Sequence, residues 1–254
     1  MAAARAAPDD AYGYIPMEVE TLTRSLGAGV GAAAGADLKQ TFNAGPFDRP
    51  SVLIDDGERW AFGTTPWPPS QPELRAALEP YYRAMLDLAS RLMRVFAIAL
   101  DLSADWFDGL IDQSPSALRV IDYPHLDAAA IDRAGEGQLR AGAHTDYGTL
   151  TLLVQDDAPG GLEVLDPRSG AWTPVPARAG AIVVNLGDLM ARWTNDRWRS
   201  TLHRVVVPPR SVDTSTRRQS IAFFHNANYH AVIECLPGCV ALMAKFHRAI
   251  GRAG

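Results

Sequence analysis

The chain has 254 residues, 47% apolar and 21% charged, a globular balance with enough length for one well-filled core. A net charge of −5 without a lysine or arginine block argues against nucleic acid or acidic membrane surfaces as partners, and no apolar run reaches membrane-span length. The opening MAAARAAPDD lacks the apolar centre of a secretory signal. Two cysteines, Cys235 and Cys239, are too few for a disulfide framework or a zinc site, so they read as ordinary thiols of a cytoplasmic protein.

Residues 1–70 are rich in glycine and proline and read as an irregular segment, with a short helix over Met17–Leu26 and a Gly/Ala loop over Gly27–Gly35. Residues 71–115 read as helical support. Ser70 is placed to cap a long helix, with Glu73 three residues on and Pro72 in the first turn. Leu74, Leu78, Tyr81, Met85, Leu88, Leu92, Val95, Phe96 and Ala99 then form one apolar stripe, a packing face rather than a cofactor box. Ser103 is a candidate cap for a second short helix through Trp106 and Leu110. Residues 116–254 change texture. Short β runs over 118–123, 149–154, 162–165, 181–185, 202–207 and 220–225 are separated by turn sequences. Helices first and strands after, without alternation, predict a mainly β sandwich or jelly roll packed on the long helix, all in one structural domain.

The most informative stretch is GAHTDYGTLTLLVQ, Gly142 to Gln155. His144 and Asp146 are two apart, so on an extended backbone both side chains share a face, at the mouth of an aliphatic strand. An imidazole and a carboxylate so placed are two thirds of a facial metal site; a surface turn with a chance histidine reads the same way. His203, inside TLHRVVV, is either a third ligand or a core histidine satisfied by a carbonyl. Arg218 and Ser220 open the strand RQSIAFFH on one face with Ala222 and Phe224. A guanidinium facing inward requires an anion, which is either a ligand carboxylate or a protein acid.

GAHTDYGTLTLLVQ, VVNLGDLMARWTNDRWRSTLHRVV (183–206) and RQSIAFFHNAN (218–228) resemble the isopenicillin N synthase-like family of Fe(II)/2-oxoglutarate-dependent dioxygenases. The resemblance begins near Tyr12, with GYIPMEVETL and DLKQTFNAGP, and runs almost to the end. It implies a double-stranded β-helix in which His144, Asp146 and His203 hold iron. It also implies that Arg218, Ser220 and Tyr123 (in RVIDYP) bind 2-oxoglutarate and that Phe224 touches the organic substrate. The implied reaction consumes O2 and couples decarboxylation of 2-oxoglutarate to hydroxylation, desaturation or cyclisation of a small molecule, in specialised metabolism. The asparagine of the family's RxNxYP stretch is Ile121 here, and the stretch from His203 to Arg218, with SVDTST (211–216), is longer than the family's. Family members also carry more chain before the GYIP-like segment, including a strand and helix that buttress the jelly roll. Their lack would leave a sheet edge and an apolar face uncovered and predicts poor solubility. The rival readings are a 2-oxoglutarate-independent iron oxidase, an inactive metal-binding jelly roll, and a zinc hydrolase. The last lacks an HExxH-type base in the sequence.

Overall fold

Ten strands pair into two antiparallel sheets in a computed structural model, which describes all residues except 1, 8, 23–34, 135–136, 159–160, 211–214 and 241–254. The larger sheet contains β1 (Gly13–Ile15), β2 (Gln40–Ala44), β3 (Ala117–Tyr123), β5 (Leu150–Gln155), β8 (Val183–Leu186) and β10 (Arg218–His225), in the order β1-β2-β3-β10-β5-β8. The smaller contains β4 (Leu139–His144), β6 (Leu162–Leu165), β7 (Trp172–Pro174) and β9 (His203–Val206), in the order β4-β9-β6-β7. The outline is the mainly β one that the turn spacing predicts.

Alternation gives the larger sheet two different faces. Leu118 of β3, Leu150 and Leu152 of β5 and Phe223 of β10 are buried in one core cluster with the helix α2 (Pro72–Ala99), which follows the short α1 (Asp56–Ala61) and packs on β5 and β10. The opposite residues of the same strands, including Ile121, Tyr123, Leu153, Ser220 and Ala222, line a cavity whose far wall is β4, β6 and β9. Both faces are covered, which is why these strands read as nearly continuous apolar runs.

Three expectations change. Residues 1–70 are not irregular throughout: GYIP and KQTFNA supply β1 and β2, and β2 pairs with β3 over five positions from Gln40↔Asp122 to Ala44↔Leu118. Both strands are short, and Asn43 interrupts the pattern of β2, so periodicity alone does not mark them. Helix α2 starts without a side-chain cap at Gln71 rather than with Ser70, and its buried line is Leu78, Tyr82, Met85, Ala89, Met93 and Ala97. That line lies about one residue off the expected stripe. Ala89 and Ala97 are fully buried in it, while Val95 is left 57% exposed. Lastly, Ser103 does not cap the second helix, which is the single turn α3 (Asp108–Ile111), entered from Phe107; α4 (Ala128–Ala134) follows β3. Of the expected helix at 17–26, residues 17–19 form turns and bends, and 23–26 lie outside the described residues, as do most of the Gly/Ala stretch and 211–214. Among the described residues no helix is long and apolar enough to cross a membrane.

His225 ends β10 fully buried, its Nδ1 sharing a 2.7 Å hydrogen bond with Thr149 Oγ1 and its Nε2 unpaired. Burial pushes the ring from its ordinary 6.5 down to about 4. A depressed histidine is neutral in the fold and protonates more readily when unfolded, so its contribution is present above pH 6.5 and lost as pH falls toward 4. We predict that the metal-free protein loses about 2 kcal/mol of unfolding free energy from this group between pH 7.5 and 5. Denaturant melts of wild type and His225→Gln check it: the variant has the shallower pH slope, and an equal slope would contradict the assignment.

Candidate metal centre

β4 and β9 run antiparallel with His144 opposite His203, so the sheet register brings together two residues distant in sequence. Their ring centroids are 4.3 Å apart. Asp146 sits in the tight connection from β4 to β5, and its Oδ1 lies 3.9 Å from His144 Nε2 and 3.8 Å from His203 Nε2. The three ligand atoms all fall within 4.8 Å of one another.

The connection is held from both sides. At the start of α5 (Asp188–Trp193), the Asp188 N–H donates to the Asp146 carbonyl at 2.7 Å and Leu189 N–H to the Gly148 carbonyl at 3.1 Å. Helix-end donors that need partners thereby fix the metal loop. Gly148 and Gly187 permit this approach: a Cβ on Gly187 would lie 2.1 Å from the Gly148 carbonyl oxygen, and one on Gly148 2.3 Å from that of His225.

Each ligand is also oriented. His144 Nδ1 faces the Gly142 carbonyl at 2.7 Å and His203 Nδ1 the Thr201 carbonyl at 2.9 Å. A carbonyl only accepts, so both Nδ1 atoms carry the hydrogen and both Nε2 lone pairs point inward. Asp146 Oδ2 accepts from Thr151 Oγ1 at 2.6 Å and Asn185 Nδ2 at 2.7 Å, which leaves Oδ1 for the histidines. Burial, then the neighbouring His203, pushes His144 down to about 4, so its ring is neutral at pH 7. Burial pushes the Asp146 carboxyl up, but His203 and the two hydrogen bonds outweigh it and hold it below the usual carboxylate range. Two lone pairs and an anionic oxygen facing one another repel unless a cation sits between them. The donor set fits a divalent ion on one face, with the remaining positions open, the pattern of a non-haem Fe(II) site.

The cavity continues from these ligands to Arg218, Ser220 and Tyr123. Arg218 is 2% exposed, yet no carboxylate of the described residues pairs with it. Its Nη2 donates to Gln155 Oε1, its Nη1 reaches Ser220 Oγ at 3.5 Å, and its guanidinium carbon lies 5.1 Å from the Tyr123 ring centre. The protein-acid alternative for this arginine is therefore absent from its contacts. Ile121, where the family has asparagine, adds an apolar patch to the wall. Phe224 lines both this cavity and an outer one that opens past His144, Asp146 and Tyr147.

Several residues around the centre do not stand out in the sequence. Thr151 reads as part of a buried strand and Asn185 as part of VVNLGD with no role of its own. Arg119 stacks over Phe224 at 5.8 Å and pairs with Glu20 at 3.1 Å, while buried Lys39 bridges Glu20 at 2.7 Å and Asp37 at 2.6 Å. A charged residue inside an apolar run, ALRVI, is the one signal that marks Arg119, whereas Lys39 in DLKQT has none.

The model of the 2OG-Fe(II) oxygenase superfamily matches residues 115–227. The 2-oxoglutarate-Fe(II) type oxidoreductase hxnY of Emericella nidulans is 39% identical over 180 residues, 70% of this chain and 49% of the relative. The 2-oxoglutarate-dependent dioxygenase citB of Monascus ruber is 40% identical over 200 residues, 76% of this chain and 57% of the relative. The chain thus spans about half the length of the curated relatives it matches. Among solved structures, a full-length Neurospora crassa protein in complex with alpha-KG superposes with a TM-score of 0.77 at 34% identity, covering 94% of this chain and 69% of that one.

If Thr151 and Asn185 orient Asp146, then Asn185→Ala and Thr151→Val each weaken divalent metal binding by about 10- to 100-fold. Asp146→Ala removes the one anionic donor of the three and abolishes tight binding. Competition of Co(II) against a chromophoric chelator measures all three, and unchanged affinity in Asp146→Ala would contradict the assignment.

Proposed function

The chain belongs to the 2OG-Fe(II) oxygenase superfamily, and we propose that it couples oxidative decarboxylation of 2-oxoglutarate to O2-dependent hydroxylation, desaturation or cyclisation of a small organic molecule. In this reading the sheet pair is a double-stranded β-helix braced by α2. His144, Asp146 and His203 hold Fe(II), Arg218 with Ser220 and Tyr123 receives the far carboxylate of 2-oxoglutarate, and Phe224 contacts the organic substrate. The observation that carries it is one cavity with three converging ligands at one end and a buried arginine without an acid at the other.

When bound, iron would let O2 serve as the oxidant while 2-oxoglutarate gives up an electron pair in losing CO2, chemistry no side chain of the site provides. The protein's own residues bind and position. Arg218 offers a planar fork to a carboxylate and the Ser220 hydroxyl a further donor, which fixes the far end of a five-carbon keto acid. Leu153, Leu162 and Val205 keep the middle of the cavity apolar, so water competes poorly there. Thr151 and Asn185 hold Asp146 by one oxygen, preserving open positions at the metal. Phe224 and Tyr147 shape the outer cavity, where a substrate C–H can approach. We further read the protein as a cytoplasmic enzyme of specialised metabolism acting on a freely diffusing small molecule. A relative named validamycin A dioxygenase supports a small organic substrate, and free Cys235 and Cys239 fit a reducing compartment.

Anaerobic addition of Fe(II) and 2-oxoglutarate together is expected to produce a weak visible charge-transfer band that neither produces alone. In air, succinate forms as 2-oxoglutarate is consumed. Arg218→Met removes a charge-assisted contact worth about 2–5 kcal/mol, raising the 2-oxoglutarate concentration for half-saturation at least about 30-fold. Turnover of substrate without succinate would instead identify a 2-oxoglutarate-independent oxidase that uses Arg218 for a substrate carboxylate.

A further inference from the structure

Arg140 on β4 is fully buried and belongs to neither the metal ligands nor the carboxylate fork. Its Nη2 donates to the carbonyls of Pro124 at 3.0 Å and Thr216 at 2.8 Å, while Nε and Nη1 are buried with no partner. No carboxylate of the described residues pairs with it. Its guanidinium carbon lies 5.9 Å from the centre of the Tyr123 ring, the ring that Arg218 approaches at 5.1 Å. Two buried cations therefore share one phenol, without an acid of the described residues in contact with either.

Bridging two carbonyls does not explain this, because a neutral amide donates two hydrogen bonds equally well. A charge kept in the interior without a counter-ion costs several kcal/mol. Burial, then the charge of Arg218, pulls Arg140 down to about 10, so it remains a cation at neutral pH. The nearby acids are committed elsewhere: Asp122 to Arg217 at 2.7 Å, Asp156 to the backbone N–H of Gln219 at 2.7 Å. The excess positive charge thus belongs to the end of the cavity where the far carboxylate is to be received.

We propose that Arg140 is a positioning and specificity-determining residue for the cosubstrate: a second buried guanidinium behind Tyr123 that makes the Arg218 end of the cavity select 2-oxo acids ending in a carboxylate over those ending in a neutral group. This rests on the reading that Arg218 receives 2-oxoglutarate. Arg140 acts through Tyr123 and through its field across the ring, and it makes no contact with the reacting atoms.

The test uses the Fe(II)-loaded protein under nitrogen and compares 2-oxoglutarate with open-chain 2-oxoglutaramate, in which a neutral amide of nearly equal shape replaces the far carboxylate, by titrating the charge-transfer band. Wild type is expected to prefer 2-oxoglutarate at least about 30-fold. Arg140→Gln, which can still bridge the two carbonyls, is expected to lower that preference about tenfold by weakening 2-oxoglutarate, with 2-oxoglutaramate within about twofold of wild type. Arg140→Lys, which keeps the charge, stays within about threefold of the wild-type preference. If Arg140→Gln does not fold, Arg140→Met takes its place, since apolar replacement of a buried charge is often tolerated. A folded, metal-loaded Gln or Met variant with the wild-type preference overturns the proposal and leaves Arg140 a structural strap. Equal weakening of both ligands overturns it as well. Failure of wild type to bind 2-oxoglutarate, by contrast, defeats the underlying reading of Arg218.

Discussion

The centre depends on one pairing. β4 and β9 lie side by side with His144 opposite His203, and the turn after His144 returns Asp146 to the same point. A slip of one residue in that register would send one imidazole to the other face of the sheet and separate the ligands. The pairing is irregular on the way to the histidines, with register shifts between Leu139, Ala141 and His144. Bulges of this kind re-aim side chains beside functional sites. The rest of the fold keeps the register in place: α5 donates its first N–H groups to the metal loop, and Gly148 and Gly187 let those backbones meet.

The larger sheet divides labour by parity. Odd-numbered residues of β3 face the cavity, and on β10 the even-numbered ones do; of the alternate residues, Leu118, Val120, Ile221 and Phe223 join the core with α2. Tyr82 of α2 meets Phe223 edge-on at 5.1 Å, while the next residue, Phe224, faces the cavity. Stability and chemistry therefore reside in neighbouring residues of one strand. The electrostatics are divided in the same way. Lys39, Glu20, Asp37 and Arg119 neutralise one another beside the metal ligands, whereas Arg140 and Arg218 at the far end are left positive. That asymmetry is the main guide to which end of a bound acid goes where.

Much of this is legible in the chain. Arg218 with Ser220 on one face of RQSIAFFH is a local pattern whose geometry follows from a period of two; HxD and the histidine inside TLHRVVV mark the candidate ligands, which the turn after His144 and the β4–β9 register bring together. β4 escapes a reading by propensity because LRAGAH has no β-branched residue, and β7 because three residues carry no periodicity. The buried face of α2 is displaced from the expected one because a stripe is drawn through the largest residues, while the buried line runs through the small Ala89 and Ala97. Thr151, Asn185 and Arg140 carry no local signal, since each acts on a group that only tertiary folding brings within reach. The family resemblance does mark GYIP and DLKQTFNAGP, the segments that form β1 and β2.

Anomalous diffraction at the iron edge, from crystals grown without oxygen in the presence of Fe(II), tests the central claim most directly. One strong peak is predicted per chain, bonded to His144 Nε2, His203 Nε2 and a single oxygen of Asp146, with Asp146 Oδ2 still held by Thr151 and Asn185. A peak elsewhere, or none at full occupancy of added iron, would contradict the account.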